Sequence, residues 1–74
     1  MLFVEELSGA LDLLTRAPDV GRRYLHAGIP GLRRLLLPAT RYHVYYVHEG
    51  DVCVVLAVWS ALRGRPPQLR GRKP

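Results

Sequence analysis

The segment Val52 to Trp59 restricts the fold of this chain more than any other. It is an uncharged apolar run, Val-Cys-Val-Val-Leu-Ala-Val-Trp, rich in β-branched residues and preceded by Gly50-Asp51, which reads as a strand. Period-two alternation puts Val52, Val54, Leu56 and Val58 on one face and Cys53, Val55, Ala57 and Trp59 on the other. Both faces are apolar, the pattern of a strand covered on both sides. The chain has 74 residues, enough for one small domain. A domain near this length buries only about 60% of the surface its unfolded form exposes. One cysteine excludes an internal disulfide, and no Cys or His pair stands at the spacing of a structural zinc site. One amphipathic helix covers one sheet face, so the second face calls for cover from further chain, a second copy or a partner. An uncovered apolar strand in so small a domain invites aggregation.

The rest of the chain supplies that helix and two more strands. Phe3, Leu7, Ala10, Leu11, Leu14 and Ala17 form an apolar stripe at helical spacing, with Glu5, Glu6, Asp12 and Arg16 off it. Pro18-Asp19-Val20-Gly21 ends the helix. The stripe opens beside Met1 with no capping residue ahead of it, so the chain is expected to be N-terminally short. Arg22 to Gly31 reads as loop. Leu32–Leu37 is a strand, Pro38-Ala39-Thr40 a turn, Arg41–Val47 a second strand and His48-Glu49-Gly50-Asp51 a hairpin loop before the third. The expected fold is α+β: one N-terminal helix packed on a three-stranded antiparallel meander.

The net charge is +5, from eleven basic and six acidic residues. Residues 1–62 hold six of each, so the excess lies in Arg63, Arg65, Arg70, Arg72 and Lys73. With its prolines and glycines, the end from Arg63 reads as an extended basic tail, flexible over residues 70–74, with residues 1–69 as the domain. Such a tail suits solvent or, as a binding segment, nucleic acid or an acidic protein. The free thiol and the absence of a secretory start point to the cytoplasm, and the longest apolar run is too short to cross a bilayer.

Several stretches in order resemble the ParE/RelE toxin superfamily of bacterial toxin–antitoxin systems. Ala10–Gly21 is similar to the family's second helix with its "L…P..G" ending, and Ile29–Leu37 to the "G-x-R" entry into the first meander strand. Tyr42-His43-Val44-Tyr45-Tyr46 resembles the "Y-x-(I/V)-x-Y" strand. Val52–Trp59 followed by Leu62-Arg63-Gly64-Arg65-Pro66-Pro67 resembles the last strand and end of the ParE branch. The resemblance covers Ala10 to Leu69. Two features depart from it: nothing corresponds to the family's first strand and first helix, and Ser60 stands where such relatives commonly have histidine.

The resemblance implies a toxin acting by protein binding, with DNA gyrase as target, neutralised by a cognate antitoxin whose acidic segment wraps it. On that reading Trp59, Arg63 and Arg65 contact the target. Arg33, Arg34, Arg41 and His43 form an antitoxin-binding or basic patch, the three arginines converging near the turn shared by their strands. Trp59 equally fits a core position, and His43 a half-exposed strand position. A RelE-like ribosome-dependent nuclease using His43 is the enzymatic alternative. The full set of nuclease residues is not evident, since no tyrosine follows Tyr46, so the balance is against an enzyme and no catalytic residue is assigned. A third alternative is an inactive shortened remnant that only binds antitoxin or dimerises. No metal or cofactor is expected, because His43 and His48 fall on opposite strand faces with no further ligands. Neither membrane nor direct nucleic-acid binding is expected, whereas a homo-oligomer or a hetero-oligomer with antitoxin is.

Overall fold

The computed structural model describes residues 2–69. It is α+β: helix α1 (Leu2–Arg16) lies on an open antiparallel sheet of β1 (Arg22–Arg23), β2 (Arg33–Leu37), β3 (Tyr42–Glu49) and β4 (Val52–Ser60) in that spatial order. The sheet has four strands, not three. The extra strand has only two residues, paired as Arg22 with Arg34 and Arg23 with Arg33, and two residues are too few to show alternation in a sequence. The Tyr24 N–H bond to the Leu32 carbonyl, at 2.9 Å, closes the loop behind it.

Helix α1 buries Ala10 and Leu14 against Leu37, Val44 and Tyr46, with Phe3, Leu7, Tyr42, Cys53 and Val58 around them. The stripe therefore behaves as its spacing predicts, except that Leu11 is exposed at its margin and Ala17 lies just past the end of the helix. Glu6, off the stripe, reaches across to the β2–β3 turn. Its carboxylate accepts from the Ala39 and Thr40 N–H groups at 2.7 and 3.0 Å and from Thr40 Oγ1 at 2.6 Å. The turn ends on Arg41, which has φ 62°, and the β3–β4 turn has Gly50 at φ 59°. Positive φ at the first of two central residues is what a two-residue hairpin of the II′ kind requires, and glycine adopts it without strain.

The register of β4 corrects the expected division of its faces. Tyr45 pairs with Ala57 but Tyr46 pairs with Val55, so Leu56 is an extra residue at a bulge. Past the bulge the phase reverses. Cys53 and Val58 pack toward the helix, whereas Val54, Leu56, Ala57 and Trp59 all pack on the second face.

That second face is not left for another molecule to cover. Ile29, Leu32, Tyr45 and Val47 are buried in a second cluster, joined by Tyr24 from the loop after β1 and Leu69 near the chain end. The loop that the sequence shows as structureless thus provides part of the cover, through Tyr24 and Ile29. The expected tail is corrected in the same way: Pro67 is buried and Leu69 half-buried against this cluster, so Arg63–Leu69 folds back instead of extending. Proline and leucine are apolar, so burying them favours this course, while Arg63 and Arg65 beside them stay exposed to water. The flexible tail expected over residues 70–74 lies outside the described residues.

Candidate functional site

Successive strand residues alternate between faces, and the register decides which site candidates meet. Arg34 is opposite Tyr45, Leu36 opposite His43, and His43 opposite Trp59. Arg34, Tyr45, His43 and Trp59 therefore share the second face. Arg33, one residue earlier, pairs with Tyr46 and points to the helix side. Its guanidinium donates from Nη1 to the carbonyls of Gly21 at 2.6 Å and Asp19 at 3.2 Å, and its Nη2 lies 3.6 Å from Asp19 Oδ1. Arg33 fastens the post-helix loop to the sheet. Arg41 sits in the turn at the other end of β2 from Arg33 and Arg34, so the three arginines do not converge.

What does converge is a groove of about 230 Å³ lined by Tyr24, Arg34, His43, Tyr45 and Trp59, and closed at one end by Ser60, Ala61 and the segment from Arg63 to Pro66. Arg34 lies 4.7 Å from the centre of the Tyr24 ring, and Arg63 lies 4.7 Å from that of Trp59. The Tyr24 and Tyr45 rings meet edge-on at 5.3 Å, and His43 lies 6.1 Å from Tyr45. The Trp59 indole Nε1–H donates to the Arg65 carbonyl at 3.0 Å, which brings the Arg63–Arg65 segment over the groove. No acidic residue lines it. Partial burial pushes the His43 imidazole below its usual pKa, and the nearby Arg34 charge adds to this, so the neutral ring is favoured.

Chemically, the groove offers flat aromatic faces flanked by guanidinium groups, a combination suited to anionic groups carried on a planar or apolar body. Of the sequence candidates, Trp59, Arg63, Arg65, Arg34 and His43 line it, while Arg33 and Arg41 do not. Tyr24 was not among the candidates, and the only signal for it was an aromatic residue just after Arg22-Arg23. Its role follows from the β1–β2 pairing, which sets it beside Arg34. Among the described residues no three His, Cys, Asp or Glu side chains cluster as a metal site would require, and no helix is long and apolar enough to cross a membrane.

Comparison with protein families, curated proteins and solved structures finds no match.

Proposed function

We propose that this chain is the toxin component of a type II toxin–antitoxin system, ParE-like, acting in the cytoplasm by binding protein rather than by catalysis. DNA gyrase is the proposed target, and a cognate antitoxin with an acidic segment is the neutralising partner. The family assignment rests on the motif resemblance. The observation that carries the binding mode is the groove: Trp59, Arg63, Arg65, Arg34 and His43 line one acid-free surface. Tryptophan and arginine are the residues that most often anchor protein interfaces, and a surface of one charge sign selects a partner of the other.

Induced expression of the chain in a bacterium tests this. Growth arrest with gyrase-dependent DNA damage and intact messenger RNA is the expected result, and absence of arrest overturns the toxin assignment. Replacing Arg63 and Arg65 together with alanine abolishes the arrest while leaving the circular-dichroism spectrum unchanged. Alanine keeps the Arg65 carbonyl that accepts from Trp59, so only the charges and the guanidinium over Trp59 are lost.

A second reading, a RelE-like ribonuclease, is favoured by one observation: His43 stands in the same groove as Arg34 and Arg63 with its ring biased to the neutral form. A neutral imidazole can take the proton of a ribose 2′-hydroxyl while guanidinium groups balance charge on the phosphate. A second proton carrier is needed for the departing 5′-oxygen, and Tyr45, the ring beside His43, is only 2% exposed. Cleaved messages that become intact with His43→Ala would place this reading ahead of the first.

A further inference from the structure

Two grooves lie side by side on the second sheet face and share Trp59, Arg65 and Pro66. The first is the cationic groove of about 230 Å³ described above. Its arginines, Arg34, Arg63 and Arg65, form no ion pair among the described residues, where the carboxylates paired with arginine are Asp12 with Arg16 and Asp19 with Arg33. Two of the three guanidiniums are already seated, Arg34 on the Tyr24 ring and Arg63 on that of Trp59, so holding an anion costs them little further freedom. The second groove is apolar. It opens beside the strap Arg65–Leu69, which keeps its place on the second cluster with Pro67 buried. Its volume is about 540 Å³, and its walls are chiefly Leu56, Ala57, Trp59, Pro66, Pro67 and Leu69. The strand register sets the distance between the two. Arg34 pairs with Tyr45 and Tyr45 with Ala57, so these three form one row across β2, β3 and β4. At about 4.8 Å between strands, Arg34 and Ala57 lie about 10 Å apart.

We propose that the two grooves together recognise one extended segment of a partner protein through two side chains, a carboxylate held by Arg34 and Arg63 and an aliphatic group of leucine size seated on Ala57. The inference rests on the reading of the cationic groove as a protein-binding surface. The occupant follows from charge and shape. Three guanidiniums without a carboxylate partner select an acid. The apolar hollow beside them selects an aliphatic side chain, because a second charge placed there loses its water without gaining a partner. The cationic groove is small, about 230 Å³, and admits a side chain or a single strand, whereas a helix about 10–12 Å across does not enter it. In an extended chain, residues two apart share a face at about 7 Å, and the length of a glutamate side chain covers the remaining distance of about 3 Å. Adjacent residues point to opposite faces and cannot occupy both grooves. The recognised pattern is therefore Glu-x-Leu, with the backbone of the segment passing beside Trp59, which borders both grooves.

Trp59 is the one tryptophan of the chain, so its fluorescence reads binding at both grooves. The probes are short end-blocked peptides of serine and glycine that carry Glu-Ser-Leu. This peptide is expected to bind about tenfold or more tightly than the same peptide with glutamine for glutamate, with serine for leucine, or with glutamate and leucine adjacent. Arg34→Gln with Arg63→Gln is expected to erase the preference for glutamate over glutamine. Ala57→Leu, which fills the apolar groove, is expected to erase the preference for leucine over serine and to keep that for glutamate. Circular dichroism checks that the variants are folded, and the peptide changes test the same contacts on the unaltered chain. Binding that depends on glutamate alone overturns the paired recognition and leaves the protein-binding reading standing. Absence of binding by every acidic peptide overturns both, as does tighter binding of a short single-stranded oligoribonucleotide than of any peptide. Growth arrest is a separate readout: its absence removes the toxin assignment and leaves the peptide preference standing.

Discussion

The hydroxyl of Tyr46 accepts from the Gly21 N–H at 3.0 Å and donates to the Pro18 carbonyl at 2.6 Å, with its residue 0% exposed. Burial pushes the phenol above its ordinary pKa, so it keeps the proton that the Pro18 bond needs. A Cβ on Gly21 would lie 2.7 Å from that oxygen and 2.8 Å from Cε1 of the ring. Pro18 and Gly21 are legible in the sequence as a helix stop. That Gly21 must also make room for Tyr46 is not, because 25 residues separate the pair. Tyr46→Phe leaves a buried N–H and a carbonyl without this partner and is expected to cost about 1–3 kcal/mol. Gly21→Ala is expected to destabilise as well, by displacing the ring. Urea unfolding checks both, with the midpoint falling and the slope unchanged.

Among the elements, the helix and the β2–β3 turn are coupled through the Glu6 carboxylate. Its pKa lies below the ordinary carboxylate value, chiefly because the Thr40 hydroxyl donates to it, with the Ala39 and Thr40 N–H groups adding to the effect against a desolvation penalty. A depressed folded-state pKa means that this stabilisation is fully present above the unfolded value, near 4.5, and is lost as pH falls through the folded value. Glu6→Gln should therefore melt below the parent chain at neutral pH, with the gap closing in acid. Thermal melts of both proteins along a pH series check this. The helix stripe and the two hairpin turns are legible because period and turn chemistry are local. The bulge is not. A strand apolar on both faces gives its extra residue no phase to violate, so Leu56 leaves no mark in the pattern.

For the molecule as a whole, burial on the sheet and the charge of Arg34 together act on the His43 imidazole of the groove. Folding lowers the His43 pKa, through desolvation first and the Arg34 charge second, while the unfolded chain takes up a proton near the ordinary value of 6.5. The sign follows: stability from this source is present above that value and is lost as pH falls through the lower folded pKa. Melting temperature followed from about pH 8 to about pH 5 should fall less steeply for His43→Gln than for the parent chain. Arg34→Ala should raise the His43 pKa read from its imidazole resonances. An unchanged value would remove Arg34 from the electrostatics of the groove.

The order of the helix and the three longer strands was determined within the sequence, since periodicity, proline and glycine act over a few residues, whereas the two-residue β1 was not. The concentration of excess positive charge after residue 62 was determined there too. Tertiary structure alone decided which arginines meet. Alternation and register sent Arg33 to the helix side and Arg34 to the groove, and left Arg41 at a distant turn. It also decided how the second face of β4 is covered. The loop before β2 and the strap after β4 carry no periodic signal of their own, and they find their places only because the sheet presents an apolar surface on which they can bury Ile29, Leu32, Pro67 and Leu69.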